Sequence, residues 1–363
     1  MESNTRCVCI NNLAELREHA RNWNELSQLL PHKNPLMSHA WLSIFFEECL
    51  NPEETWSVIF GFEGELLVGV LPLVVANRRK FGIKVQELSL PFDDQTMSVD
   101  MLIRPGYEKI VCASMLDTAF KEFPKAQCIV FRRIDTQSNT YQEIKDMSSS
   151  VEDFCENGAS ISNAKPFSEF RQSLGKNFKS NLNKANNKIK KAESSSFIVN
   201  DPDLTSNEQL DLVMEIEKSG WKGREGTAIA CSENTTKFYR KLVESLHKEG
   251  WLYCHFLKVD GEVLAGNLGV LFANSLLLWK LGYSESHSKM SPGGILMERL
   301  LMSVDGNDSV SRIDLMTNEG WYNNWNMEWR PFFHVNVYRK SIVGSYLKAM
   351  NRLKKRVKKI VKR

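Results

Sequence analysis

Leu13, Leu16, Ala20, Trp23, Leu26 and Leu30 recur at three- and four-residue steps, which predicts a helix over 12–30. A second helix is expected from Ser38, a residue able to cap its own start, through Trp41, Ile44, Phe45 and Cys49. The pattern then changes period. Trp56–Phe62 and Leu66–Val75 read as the strands of a hairpin turned at Glu63-Gly64. Further strands are expected at Val85–Leu90, Ser98–Ile103 and Cys128–Ile134, with a helix at Lys109–Phe123 between the last two. Residues 135–165 are polar, rich in Ser and Asn and weakly periodic, and read as a connection. Beyond it, 168–193 is helical and basic, followed by a strand near Phe197–Val199 and a helix at Asn207–Ser219. After a loop comes a helix at Asn234–Glu249, leading to strands Leu252–Val259, Val263–Phe272 and Leu276–Gly282, turned at Asp260-Gly261 and Asn274-Ser275. A loop, a helix at Ile295–Met302, a strand at Arg312–Met316 and a Trp-rich segment close the series.

The two halves share this order. In each, a pair of helices precedes a hairpin turned by an acidic residue and Gly, and LLVGVLPL can be laid on VLAGNLGV. That self-similarity favours duplication of one unit. A length of 363 residues suits two domains, and the expected division is 1–150, 165–345 and a tail at 346–363.

Charge and cysteine usage narrow the class. Of 47 Lys and Arg, 12 fall between Arg330 and Arg363, where none of the 44 Asp and Glu lies, so an acidic body carries a basic tail. The longest apolar run, Leu66–Ala76, is interrupted by Gly69 and Pro72, too short for a membrane helix. The first 23 residues hold no apolar signal core, so the expected location is cytoplasmic. The eight cysteines show no C-x-x-C or zinc spacing, and the close pair Cys7 and Cys9 has no partner cluster. They read as reduced, mostly buried thiols, and no metal is expected.

The strings EIEKSGWKGREGTAI (Glu215–Ile229), DGEVLAGNLGV and LLLWKLGYSESHSKMSPGGIL, with WLSIFFEECL, GELLVGVLPLVV and SVDMLIRPG earlier, resemble GNAT acyltransferases of the CelD/BcsL, cellulose-biosynthesis type, relatives of the FemAB peptidoglycan aminoacyl transferases. The resemblance spans most of residues 35–340. It implies an α/β fold of two tandem GNAT-like domains, each a mixed, mostly antiparallel sheet flanked by helices. It further implies acetyl-CoA or another acyl-CoA as co-substrate. The acceptor would be an amino sugar, a glycan precursor or an amino-containing metabolite, in cell-envelope polysaccharide synthesis.

Candidate site residues follow from the second half. Ser291, Gly293, Gly294 and Ile295 open a helix, where unpaired N–H groups form an anion site, and glycines let a pyrophosphate approach. The loop lacks the basic residue and wider Gly spacing of the usual GNAT signature, and an ordinary Ser-capped helix start is the plainer alternative. Glu217 can take a proton from an acceptor, Lys222 can bind its phosphate or carboxylate, and Trp221 can stack on a sugar or adenine; a solvated charge pair and a core Trp are the bland alternative. Tyr283 is a candidate acid beside the leaving thiolate. Asp314 and Asn318 face the cleft if the GNAT order holds, and His255 is a weaker candidate, since a lone strand His is usually structural. Trp321, Trp325 and Trp329 would share one helix face, as core or as a sugar-stacking wall.

Three functions compete. The first is direct acyl transfer to nitrogen or oxygen, the carbonyl oxygen held by a backbone N–H of the central strand. The second is FemAB-like aminoacyl transfer from charged tRNA, for which a coiled-coil arm would speak. The third is a non-catalytic GNAT scaffold in a polysaccharide cluster. The basic stretch 171–193 carries no nucleic-acid motif and reads as a solvated helix or as a contact to an anionic acceptor at the domain junction. In the tail, Leu347, Met350, Leu353, Val357 and Ile360 form a helical stripe flanked by Lys348, Arg352, Lys355, Lys358, Lys359 and Lys362. Such a helix suits peripheral contact with the anionic inner membrane face, or is simply a soluble end.

Overall fold

The computed structural model describes residues 5–361, and side chains as far as Val357. It divides into two compact units, one of residues 1–157 and 330–363, the other Gly158–Trp329. The units divide after Asn157, and residues 330–345, expected in the second domain, belong to the first unit together with the tail.

The first unit orders its strands as Arg6–Ile10, Thr55–Glu63, Leu66–Lys80, Ile83–Ser89, Ala126–Asp135 and Glu328–Tyr338. All pairings are antiparallel except that of Ile83–Ser89 with Ala126–Asp135. Every residue from Leu67 to Ala76 is buried, as a central strand covered on both faces requires. Helix Glu108–Glu122 crosses this strand at Gly69, where a Cβ would come within 2.6 Å of Met115 and Val111 side-chain atoms. Gly69 is therefore fixed by close approach, not by a turn.

The strand Glu328–Tyr338 enters this sheet late in the chain, pairing Phe332 with Asp135 and Tyr338 with Cys128. Arg330 donates from Nε to the carboxylate of Asp135, both side chains being almost fully buried. The guanidinium carbons of Arg133 and Arg330 lie 4.3 and 5.2 Å from the centroid of Phe332, so one ring serves two cations. Helix Ile342–Val361 follows, and Leu347 is buried with Val85, Cys128, Val130, Val151 and Tyr338.

The second unit orders Arg312–Asp314, Ser275–Tyr283, Glu262–Phe272, His255–Val259 and Ser195–Val199, with Ser160–Ser162 antiparallel on Arg312–Asp314. Ser275–Tyr283 runs parallel to Arg312–Asp314, which demands a crossover, supplied by helix Pro292–Ser303. One face of the sheet packs Leu257, Ala265, Leu276 and Leu278 against Leu182, Ala185 and Ile189 of helix Lys176–Ile189 and Ile295, Leu296 and Leu300 of the crossover. On the other lies helix Ser206–Ser219, started by a full capping box between Thr205 and Glu208.

Several expectations are corrected. The polar stretch 135–165 holds the strand Ser150–Ser162, and further strands form at Arg6–Ile10 and Glu328–Tyr338. The helix expected over 12–30 is two, Leu13–Glu18 and Ala20–Leu29, and the basic helix breaks at Leu174-Gly175. Within it Arg171 and Asn186 satisfy the buried carboxylate of Glu298, at 2.8 and 2.5 Å. The Trp residues form no stripe: Gly320–Asn324 is a single 3₁₀ turn, Trp325 is buried, and Trp321 and Trp329 are exposed. The eight cysteines are free thiols, but only Cys112, Cys128 and Cys254 are buried. In the tail Leu347 points into the first unit, and the side chains of Lys358, Lys359, Ile360 and Lys362 lie outside the described residues. No described helix is long and apolar enough to cross a membrane.

The buried pair sets a test of the returning strand. Arg330→Met leaves Asp135 buried without its cation, and urea unfolding of the full chain should show a loss of roughly 3–5 kcal/mol. Arg330→Met with Asp135→Leu should recover much of that loss, since a buried pair exchanged for apolar groups is close to neutral.

Candidate active site

The site is built from the C-terminal end of helix Ser206–Ser219. This helix lies directly on a cross-strand pair of glycines, Gly266 and Gly282. A Cβ at Gly266 would stand 3.4 Å from Ile216 Cδ1, and one at Gly282 would stand 3.2 Å from the Glu217 nitrogen. The absent side chains bring Glu217 down onto the end of strand Ser275–Tyr283.

There the Glu217 carboxylate is buried, and both its oxygens are engaged. Oε1 accepts from Lys222 Nζ at 2.6 Å, and Oε2 from the backbone N–H of Ile229 at 2.9 Å. Lys222 Nζ also reaches the carbonyl of Leu281 at 3.4 Å. A second carboxylate, Glu285, holds the same loop from its far side. It accepts from Arg224 Nη1 at 2.8 Å, from Nη2 at 3.2 Å and from the Trp221 N–H at 2.9 Å. The Arg224 guanidinium holds the Glu285 carboxyl below the usual carboxylate range. Between the clamps the turn is so tight that a Cβ on Gly223 would stand 1.8 Å from the Lys218 carbonyl oxygen. The loop thus presents the Trp221 indole to solvent, 48% exposed.

After strand Ser275–Tyr283 a 3₁₀ helix, Glu285–Met290, brings the chain back to the start of helix Pro292–Ser303 beside the strand's end. A Cβ on Gly293 would lie 3.3 Å from Tyr283 Cδ1, so the half-exposed Tyr283 ring sits against this turn. Ser291 adopts φ +50° and does not cap the helix with its side chain, and among the described residues no side chain caps the Gly293 and Gly294 N–H groups. Ile295, by contrast, is buried core and its N–H bonds the Ser291 carbonyl. Glu217 and Lys222 thus meet the end of this strand at Gly282 and Leu281, and Gly293 meets it at Tyr283, which projects from the opposite face. The ladder between Glu262–Phe272 and Ser275–Tyr283 slips between Leu268 and Gly269, leaving Trp279 out of register.

Other candidates stand apart. Asp314 pairs with Leu277, six residues before Tyr283, or about 20 Å along an extended strand. It is buried, and its Oδ1 accepts from the Met316 N–H at 2.9 Å, stabilising a turn in which Met316 has φ +55°. Asn318 is exposed on the loop beyond. His255 is fully buried, its Nδ1 2.8 Å from Asn267 Oδ1, and burial lowers its pKa to about 4. Among the described residues no group of His, Cys, Asp and Glu could hold a metal. Arg224 and Glu285 were not anticipated. A cation and an acid about sixty residues apart carry no periodic signal.

Residues 176–325 match the model of the acetyltransferase (GNAT) domain. No curated protein matches the chain in sequence. In fold, the chain resembles FemX with a TM-score of 0.64 at 13% identity, covering 94% of this chain and all of that one. It also resembles the C-terminal domain of a putative lysylphosphatidylglycerol synthetase from Agrobacterium fabrum, with a TM-score of 0.54 at 10% identity, covering 93% and 95%. A tandem GNAT protein from the clavulanic acid biosynthesis pathway gives 0.50 at 12% identity, covering 93% and 100%. The fold is that of two tandem GNAT-like domains, with mixed sheets flanked by helices.

Two tests follow from this geometry. Glu217→Gln removes the charge that pairs Lys222, and the second unit should lose roughly 2–4 kcal/mol in urea unfolding. Lys222→Met in the same chain should restore part of it, giving a coupling above 0.5 kcal/mol. A fall in turnover of about 100-fold with stability unchanged would instead make Glu217 the proton acceptor. For His255, a folded pKa below the ordinary 6.5 means stability present above pH 6.5 and lost as pH falls towards about 4. His255→Gln should flatten that part of the pH–stability curve, read by thermal unfolding at stepped pH.

Proposed function

We propose that this GNAT-type acyltransferase moves an acyl group from acyl-CoA, acetyl-CoA in the first instance, to a nitrogen or oxygen of an acceptor at the Tyr283 end of the second unit. The observation that carries this reading is the start of helix Pro292–Ser303, which packs Gly293 against Tyr283 at the end of strand Ser275–Tyr283, with the Gly293 and Gly294 N–H groups uncapped by any described side chain. These donors fit a pyrophosphate, and a Cβ at either glycine would crowd the turn, meeting Tyr283 at 3.3 Å or Ser291 Oγ at 2.9 Å. No cation lies in the helix's first turn, so backbone donors and the helix dipole would carry the phosphates.

Bound acyl-CoA would supply the thioester. We assign the Tyr283 hydroxyl to give its proton to a departing sulfur, and Trp221, Lys222 and Asn318 to the acceptor. With Glu217 engaged by Lys222 and Ile229, its part is to hold the loop that displays Trp221. Direct transfer accords with the absence of a nucleophile elbow in the sequence. The resemblance to the CelD/BcsL type supports an amino sugar, a glycan precursor or an amino-containing metabolite as acceptor, in cell-envelope polysaccharide synthesis and in the cytoplasm.

Aminoacyl transfer is the second reading, favoured by likeness to FemX and to the lysylphosphatidylglycerol synthetase domain over nearly the whole chain. Thermal-shift titration with acetyl-CoA, longer acyl-CoAs and charged tRNA separates the two. Stabilisation by acyl-CoA supports the first, by tRNA the second, and by neither a scaffold.

Gly293→Val should weaken CoA binding at least tenfold by calorimetry while the fold survives, since its methyls would enter the space against Tyr283. Unchanged affinity would remove this turn from the donor site.

A further inference from the structure

Helix Ile342–Val361 is neither free nor fully packed. One face is fastened to the first unit: Leu347 is buried, Tyr346 Oη donates to the Phe81 carbonyl at 3.1 Å, and Asn351 Nδ2 donates to Tyr338 Oη at 2.8 Å. Lys348 and Lys355 donate to the carbonyls of Ser148 and Glu152. The adjoining face is apolar and open to solvent, with Ile342 91%, Leu353 53%, Val357 51% and Tyr346 42% exposed. At 100° per residue these four fall within roughly 60° of arc. Exposed Arg352 and Arg356 flank the stripe on one side and Lys354 on the other, and no acid lies between Arg330 and Arg363.

A second basic element adjoins it. The hairpin of Leu66–Lys80 and Ile83–Ser89 turns at Phe81-Gly82, packing Phe81 and Ile83 against the cluster that holds Leu347. Near its tip, exposed Arg79 and Lys84 are direct cross-strand partners. Like charges so placed weaken a hairpin and do nothing for its folding.

We propose that this helix, with the hairpin tip beside it, is a docking surface for an anionic lipid bilayer. The apolar stripe would enter the interface and the flanking cations would meet lipid phosphates. Nucleic acid would use the cations but leave the stripe in water. A second copy would cover the stripe but, in a two-fold contact, set cations against cations. The docked face makes truncation after Ser345 a poor probe, because it strips Leu347 from the first unit's core.

The test is co-sedimentation of the full chain with phosphatidylcholine vesicles and with vesicles containing phosphatidylglycerol. Partition onto the anionic vesicles should exceed that onto the neutral ones at least tenfold and fall as salt rises. Leu353→Glu with Val357→Glu should lower it at least tenfold, and Arg352→Gln with Arg356→Gln should lower it less. All four side chains are exposed, so circular dichroism and CoA affinity should be unchanged. Equal partition onto both vesicles, or undiminished partition of the Leu353→Glu/Val357→Glu chain, would overturn the proposal. So would a wild-type dimer that this pair of substitutions dissolves, which would give the stripe to a second copy.

Discussion

The second unit turns on one buried carboxylate. Glu217 must be placed before it can bind anything, and its placement rests on the missing side chains of Gly266 and Gly282. Once buried, its charge needs a partner, because an unpaired carboxylate in a low-dielectric interior is costly. Lys222 and the Ile229 N–H meet that need and draw the loop between them into a fixed path. Glu285 then closes the loop from the other side. The displayed indole of Trp221 is the outcome of these two clamps. Packing determines the charge, and the charge determines the loop.

What could be read from sequence depended on how local the cause was. The hairpin turned at Asp260-Gly261 follows from short-range chemistry and stands where expected, and the helix expected at Ile295–Met302 begins three residues earlier, at Pro292. The strand Ser150–Ser162 was hidden because VEDFCENGASIS offers neither alternation nor an apolar run. Its pairing with Arg312–Asp314 is a tertiary fact. Trp321, Trp325 and Trp329 misled for the opposite reason: an even spacing implies a face only if a helix exists, and Gly320 begins just one tight turn. For the candidate site, the contact of Gly293 with Tyr283 joins two positions the sequence had singled out. The partners of the loop's two carboxylates were less legible: Lys222 is five residues from Glu217, but the Ile229 N–H reaches Glu217, and Arg224 reaches Glu285, only through folding.

The likeness between LLVGVLPL and VLAGNLGV acquires a physical meaning. At Gly69 a Cβ would press on Met115 and Val111 of the crossing helix, whereas at Gly266 it would press on Phe256 of the neighbouring strand, at 2.9 Å, before it reached Ile216 of the helix at 3.4 Å. The helices are not equivalent in order, since Glu108–Glu122 follows its hairpin and Ser206–Ser219 precedes its own. What the two positions share is a vacancy of one side chain that a neighbour fills. A Cβ at Gly69 would force helix and strand apart and one at Gly266 would displace the Phe256 ring, and close-packed interiors tolerate little of either.

The returning strand Glu328–Tyr338 bears on how the chain is made. Asp135 waits for Arg330, 195 residues later. At about 5–20 residues per second, a ribosome takes roughly 10–40 s to supply that partner. Throughout that interval the strand Ala126–Asp135 lacks its later neighbour, with a row of unpaired N–H and C=O groups along an edge. The first half of the chain to be synthesised is thus the last to be finished. Nascent chains of this protein should be most prone to aggregation, and most dependent on chaperones, while the second unit is already folding.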